Sequence, residues 1–156
     1  MNLGHNYYCI YATQTQYNSR NKHLFLTLIN EINFMATIEI TTENFEQTIE
    51  NNDIVILDFW AAWCGPCRNF APTFEASSEK HTDIVFGKIN TEEQEELAGS
   101  FGVRSIPTIA VFREQVVVYF EAGALTAADF ENLIEQVRGL DMEKIKAEIA
   151  AEQQNA

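Results

Sequence analysis

Cysteine, proline and positive charge are all scarce in this chain of 156 residues. It contains only 3 cysteines and 3 prolines. Because one short cysteine pair is not the disulfide framework of a small secreted domain, a reducing compartment fits better. The 10 Lys and Arg residues are outnumbered by 23 Asp and Glu residues, which gives a net charge of −13. This charge argues against a nucleic-acid partner and mainly promotes solubility.

Long apolar runs are also missing. The apolar run of residues 24–29 is too short to span a membrane, and it lacks the features of a signal peptide. We therefore expect no membrane partner and a cytoplasmic location. Residues 1–34 show no sustained periodicity, and Met35 begins a stretch typical of a natural start. We interpret residues 1–34 as an N-terminal extension that is disordered or derives from an upstream start codon; a packed extra element is the alternative.

Strand and helix patterns alternate from residue 35 onward, and 46% hydrophobic residues with 11 Phe supply a core. Strands are predicted at 37–41, 54–60, 84–90, 108–113 and 116–121, and helices at 42–51, 66–81, 92–101, 126–138 and 141–153. The first three strands need crossovers, and the last two are joined tightly. The order predicts an α/β domain over residues 35–139, with a mixed central sheet of about five strands flanked by helices.

An additional C-terminal helix is predicted within residues 140–156, beyond Gly139. Ile145 and Ile149 lie on one side of this helix among charged neighbours. Three arrangements remain open for it: packing on the domain, binding a partner, or a frayed solvated tail.

Two cysteines three positions apart, Cys64 and Cys67, lie where the strand 54–60 gives way to a helix. A helix N-terminus has free N–H groups and a positive dipole end, which stabilise a thiolate. Pro66 suits the first helical turn, and Gly65 gives the link backbone freedom. The spacing allows the two sulfurs to reach bonding distance.

The positions of the two thiols indicate different roles for them. We expect Cys64, at the cap, to be more exposed and to attack a substrate disulfide, and Cys67 to resolve the mixed disulfide. A zinc site is the alternative for such a pair, but it needs about four ligands. There is no second cysteine pair, and His5, His23 and His81 show no ligand spacing. We therefore expect no metal.

Asp58 interrupts a strand that otherwise consists of apolar residues. Burial of its carboxylate is costly and should raise its pKa towards neutrality. From its position before the strand's end, it could exchange a proton with Cys67 through water. A purely structural carboxylate is the alternative. Lys88, late in the next strand, could offset the Asp58 charge, or it could simply face solvent.

Several small and apolar residues could surround the sulfurs as a platform for a substrate chain. They are Trp60, Trp63, Gly102, Ile106, Gly123 and Ala124. Pro107 begins an apolar strand, where proline is tolerated. A cis bond before Pro107 would place the Ile106 backbone against the cysteine pair, although trans is the default from sequence alone. Trp60 has a second interpretation as a core residue.

These motifs resemble the thioredoxin family over residues 38–137. The resemblance rests on the segments 58–68, 88–90 and 102–108, on Pro72, and on Gly123-Ala124. It implies the thioredoxin fold, Cys64 as nucleophile, Cys67 as resolving thiol, Asp58 as buried acid/base, Lys88 as its neighbour and Pro107 as a cis-proline. Trp63, Gly65, Pro66, Ile106, Pro107 and Gly123 are the expected substrate-binding residues. The chain departs from the family at turn 113–116, which lacks glycine, so we expect a different turn conformation there.

The resemblance also implies a function. We expect a monomeric protein-disulfide reductase that acts on oxidised proteins and is reduced by a flavoprotein thioredoxin reductase drawing on NADPH. The chain itself is expected to bind no cofactor. Gly-Pro between the cysteines resembles reducing members, whereas a His there makes the pair more oxidising. A redox-switched binding module and a chaperone-like holdase are the alternatives.

Overall fold

The computed structural model describes residues 36–154, which form one mixed sheet of five strands. The strands are β1 (Thr37–Glu39), β2 (Ile54–Trp60), β3 (Val85–Asn90), β4 (Thr108–Arg113) and β5 (Val116–Ala122). They are arranged in the order β1-β3-β2-β4-β5. β1, β3 and β2 run parallel, and β4 and β5 are antiparallel to their neighbours. The predicted α/β architecture with a terminal hairpin is confirmed.

Helices cover both faces of this sheet. They are α1 (Phe45–Glu50), α2 (Gly65–Lys80), α3 (Glu95–Ser100), α4 (Ala127–Arg138) and α5 (Met142–Gln154). One core cluster joins the sheet to α2 and α4, and includes Phe70, Phe74 and Phe130. The second joins the opposite face to α1 and α3, through residues such as Ile49 and Leu97. Each fully buried Phe contributes about 1.5–3 kcal/mol to folding.

The central strand β2 is apolar on both sides because both of its faces are covered. Ile56 belongs to the cluster beneath α2 and α4, whereas Leu57 belongs to the other cluster. Successive side chains of a strand point to opposite faces. Asp58, two residues after Ile56, therefore lies on the face that α2 covers.

Gly87 leaves room in the core for the side chains of Ile40 and Leu57. A Cβ atom at Gly87 would lie 2.5 Å from Ile40 Cγ1 and 2.8 Å from Leu57 Cδ2. Any side chain there would force these two core residues apart, so the position requires glycine.

Two helices begin three residues later than predicted. Thr42, the predicted start of α1, instead donates its N–H to Gln94 Oε1 at 3.0 Å. Glu92, the predicted start of α3, donates its N–H to Asn90 Oδ1 at 3.1 Å. Residues 42–44 and 91–93 form turns, and the regular helices begin after them.

The hairpin turn between β4 and β5 differs from the sequence expectation. Glu114 and Gln115 have φ values of 50° and 69°. Positive φ at both central residues is the mark of the tight primed turn that matches strand twist. The expectation of a different turn was wrong, because the chain adopts the left-handed region here without glycine.

The C-terminal helix α5 contacts the domain. Met142 is buried, and Lys146 Nζ lies 2.6 Å from Glu114 Oε2. Arg113 fixes the segment before α5, because its Nη1 donates to the carbonyl oxygens of Val137, Arg138 and Leu140 at 2.5, 3.0 and 2.9 Å. Of the three arrangements left open for this helix, the structure has the one packed on the domain.

The interpretation of residues 1–34 lies outside the described residues, as do Cys9, His5 and His23. Within residues 36–154, no helix combines the length and the apolar character that a membrane crossing requires.

Candidate active site

Cys64 and Cys67 form a disulfide at the N-terminus of α2, with their Cα atoms 5.3 Å apart. Cys64 is the N-cap residue, and its Sγ accepts the N–H of Cys67 at 3.2 Å. Gly65 and Pro66 complete the first turn, where the missing N–H of proline has no helical partner to lose. A thiolate formed at Cys64 on reduction would occupy the positive end of the helix dipole.

The two sulfur-bearing residues are equally buried in this oxidised form. Cys64 is 3% exposed and Cys67 is 2% exposed. The prediction that Cys64 is the more exposed residue was therefore wrong for the disulfide state. The carbonyl oxygen of Ile106 lies 3.7 Å from Cys64 Sγ, so the loop before β4 covers it. The two cysteines differ instead in their position on α2, because Cys64 is the N-cap residue and Cys67 lies within the first turn.

The segment opposite the disulfide contains a cis bond between Ile106 and Pro107, as the resemblance implied. The carbonyl oxygen of Pro107 accepts the N–H of Gly123 at 2.8 Å. Gly123 has a φ of 120°, which side chains rarely adopt. A second hydrogen bond stabilises this loop, in which Thr108 Oγ1 donates to the Ser105 carbonyl oxygen at 2.6 Å. The loop and the end of β5 are thereby joined beside the cysteines.

An open groove of about 450 Å³ runs beside this loop. Trp63 and Ile106 line it together with Thr91, Glu95, Ala98, Gly99, Val103, Arg104 and Ser105. Trp63 is 67% exposed, and its Nε1 donates to Glu92 Oε1 at 3.1 Å. The sequence analysis did not identify Glu92 as the residue that orients the Trp63 ring, because Glu92 and Trp63 are 29 positions apart in the chain. The groove offers a surface on which an extended chain can lie.

Trp60 has a different environment from Trp63. Its ring lies under Lys88, whose Nζ is 5.0 Å from the ring centroid. It lines a second groove of about 450 Å³ together with Thr37 and Glu39 at the β1 side of the sheet. Trp60 does not line the groove beside Ile106. Gly102 follows α3 with a φ of 66°, and Ala124 is exposed. That these two residues belong to a substrate platform stays a prediction.

Asp58 is a buried carboxyl group without a hydrogen-bond partner among residues 36–154. It is 1% exposed, and neither carboxylate oxygen meets a donor. Burial raises its pKa from an ordinary 3.8 to about 7, against the opposing effect of the positive charge on Lys88. Lys88 and Ile109 are its partners in the neighbouring strands.

Lys88 has its ion-pair partner on α2. Its Nζ lies 3.7 Å from Glu75 Oε1. Lys88 therefore acts on Asp58 through space and not through a hydrogen bond. Glu75 had no distinguishing signal in the sequence, because it is one of several charged residues on the outer side of a helix.

Among residues 36–154, no group of three or more His, Cys, Asp or Glu side chains is placed to hold a metal ion. His81 is buried at the far end of α2, where its Nε2 lies 3.0 Å from Glu131 Oε2. The groups that the structure places near the cysteine pair are the buried Asp58 and the backbone of the loop before β4.

Comparisons with known proteins agree with this geometry. The model of the family described as Thioredoxin matches residues 36–136. A Streptomyces coelicolor protein provisionally named thioredoxin 2 is 48% identical over 121 residues, which are 78% of this chain and 90% of the relative. The thioredoxin of Alicyclobacillus acidocaldarius is 46% identical over 79 residues, covering 50% of this chain and 75% of that one.

Solved structures lead to the same family. A thioredoxin N21Q mutant from Halobacterium salinarum superposes with a TM-score of 0.61 and 31% identity, over 65% of this chain and 91% of that one. A Plasmodium falciparum thioredoxin superposes with a TM-score of 0.60 and 34% identity, over 64% of this chain and 97% of that one. With a family match over most of the chain and a disulfide-forming cysteine pair at a helix N-terminus, this chain belongs to the thioredoxin family and is a thiol–disulfide oxidoreductase.

Proposed function

We propose that this chain is a protein-disulfide reductase, which passes electrons from the Cys64–Cys67 dithiol to disulfides of other proteins. The observation that supports this proposal most directly is the position of Cys64 Sγ. It lies at the start of α2, 3.7 Å from the Ile106 carbonyl, beside the groove that Trp63 lines. A substrate chain lying along Ile106 would bring its disulfide to this sulfur, with backbone hydrogen bonds giving an extended register.

The reaction begins from the reduced pair. The Cys64 thiolate attacks one sulfur of the substrate disulfide, which breaks that S–S bond and releases one substrate thiolate. The thiolate of Cys67 then attacks Cys64 Sγ, which forms the disulfide seen in the structure and releases the second substrate thiolate. Two electrons leave the protein and two thiols form on the substrate.

Asp58 is our candidate for the proton acceptor of Cys67. Three features support this role: burial, the absence of a hydrogen-bond partner within residues 36–154, and a pKa raised to about 7. A carboxyl group with such a pKa is suited to exchange protons near neutral pH. Its strand position on the face covered by α2 supports an approach to Cys67, which is also buried there.

The recycling step belongs to the same proposal. A thioredoxin reductase drawing on NADPH would return two electrons to the Cys64–Cys67 disulfide, so this chain needs no bound cofactor. Oxidised proteins and that reductase are the proposed partners of a cytoplasmic monomer. Likeness to thioredoxins of bacteria supports this assignment.

The test is reduction of insulin by dithiothreitol, followed by the turbidity of the released chains. The wild type should accelerate the reaction, and Cys64→Ser should return it to the rate without protein. Cys67→Ser serves as the matched variant, because it keeps the attacking thiol and should accumulate a mixed disulfide with substrate. Equal rates for wild type and Cys64→Ser would refute the reductase assignment and favour a binding module or a holdase.

A further inference from the structure

We propose that Glu75 is a positioning residue of this active site: it holds the ammonium group of Lys88 against the Trp60 ring and away from the carboxyl group of Asp58. The proposal rests on the proposed function, since it assigns a residue to the proton-transfer part of the same site. Glu75 lies on α2, eight positions after Cys67, and touches neither sulfur in the mechanism above.

The geometry defines two anchors for Lys88. Its Nζ lies 3.7 Å from Glu75 Oε1 and 5.0 Å from the centroid of the Trp60 ring. The carboxylate and the ring face together attract the cation. The Lys88 side chain is 20% exposed and that of Glu75 is 53% exposed, so the pair lies at the edge of the α2–sheet interface.

Asp58 is the competing acceptor for this cation. Asp58 and Lys88 are directly paired in the parallel ladder of β2 and β3, and therefore their side chains leave the same face of the sheet. Strands in a sheet are about 4.8 Å apart, a span that the lysine side chain covers easily. Both oxygens of Asp58 lack a donor within residues 36–154, and yet Lys88 binds Glu75 instead.

The other charged groups around Lys88 do not replace Glu75. Glu39 is the β1 neighbour of Lys88 in the ladder and is exposed, and Glu93 lines the same groove from the segment before α3. Neither lies within ion-pair distance of Lys88 in the described part of the chain. From β4 the neighbour of Asp58 is the apolar Ile109. Besides Glu75 and the cysteines, α2 carries three further charged residues, Arg68, Glu79 and Lys80, and within residues 36–154 none of these lies within ion-pair distance of Lys88 or Asp58.

Removal of the Glu75 carboxylate should therefore change the behaviour of Asp58. Lys88 loses one of its two anchors and gains access to the unpartnered oxygens of Asp58. A cation at contact distance favours the ionised carboxylate. Asp58 would then lose its proton at lower pH and would be a weaker base for Cys67.

The direct measurement is a pH titration of the Asp58 carboxyl carbon by ¹³C NMR in the disulfide form, in which neither Cys64 nor Cys67 titrates. Glu75→Gln should lower the Asp58 midpoint by about one pH unit. Glu79→Gln is the matched control, because it removes the same charge from an exposed position one turn further along α2 and should leave the midpoint unchanged. The pH profile of insulin reduction should move in the same direction for Glu75→Gln only.

A double-mutant cycle separates positioning from a simple charge effect. In a Lys88→Met background, Glu75→Gln should no longer move the Asp58 midpoint. An equal shift in that background, or an unchanged or raised midpoint in Glu75→Gln alone, would overturn the proposal. Because the titration uses the oxidised protein, its result does not depend on whether the protein reduces insulin. Inactivity of the wild type towards insulin would refute the proposed reductase, whereas an unmoved midpoint would refute only the role of Glu75.

Discussion

Replacement of Asp58 by asparagine should stabilise the protein, and the gain in stability should grow as the pH rises from 3.8 to about 7. Asparagine has nearly the same shape as a protonated aspartic acid, so the packing under α2 is kept. The pKa of Asp58 is about 7 in the folded chain and 3.8 in its ordinary state. Well below pH 3.8 the carboxyl group is protonated in both the folded and the unfolded chain, and the substitution should have little effect on stability.

The sign follows from proton linkage. Between pH 3.8 and about 7 the folded chain binds more protons at Asp58 than the unfolded chain does, so stability falls as the pH rises. Above pH 7 the loss is complete. At 1.36 kcal/mol for each pH unit between the two pKa values, it amounts to about 4 kcal/mol. This is a large part of the 5–15 kcal/mol or so that stabilises a typical domain.

The assay is urea unfolding of the disulfide form at pH 4, 6 and 8, followed by far-ultraviolet circular dichroism. The free energy of unfolding of Asp58→Asn should exceed that of the wild type by several kcal/mol at pH 8, by less at pH 6, and by little at pH 4. Asp53→Asn is a suitable control, since Asp53 is exposed and its substitution should give no such trend. A difference that is the same at all three pH values would refute the reasoning, because it would show that Asp58 ionisation does not oppose folding.

Two further predictions concern the β4–β5 turn and its contacts. Gln115→Gly should stabilise the protein by about 1 kcal/mol in thermal or urea unfolding, because Gln115 has a φ of 69° that glycine adopts without steric cost. A loss of stability would show that the Gln115 side chain contributes more than its backbone costs. Arg113→Met should destabilise the protein by about 2–3 kcal/mol, because it leaves three carbonyl oxygens at the end of α4 without their common donor. An unchanged unfolding midpoint would contradict this.

The sequence predicted the sheet because its strands are short and apolar, the first four are separated by helical patterns, and the last two are joined by a tight turn. The strand of Asp58 was placed correctly at residues 54–60, since burial on both faces requires a continuous apolar run. The helix starts at Thr42 and Glu92 were misplaced, because each of these residues lies in a turn that precedes the regular helix. Their backbone N–H groups bond to the side chains of Gln94 and Asn90, and one of these acceptors is 52 positions away.

The candidate site was predictable where its chemistry is local. The disulfide spacing of Cys64 and Cys67 and the raised pKa of Asp58 follow from residue type and burial, and the structure has both. The partners Glu75 and Glu92 were not predictable in this way. Each is an ordinary surface glutamate in the sequence, and each acquires its role from a contact with a residue more than ten positions away.

The ionisable carboxyl group that the proposed proton transfer needs at Asp58 also destabilises the fold when it is ionised. The packing of the surrounding core offsets this loss of stability. The face that carries Asp58 also carries the aromatic cluster of Phe70, Phe74 and Phe130, in which ring centroids are 5.3–5.9 Å apart. Substitution of one such residue by alanine typically costs about 3–5 kcal/mol, which is similar to the destabilisation that we assign to ionised Asp58. Because α2 contributes both Cys67 and two of these rings, the packing that offsets the carboxylate is the same packing that holds the cysteine pair in place.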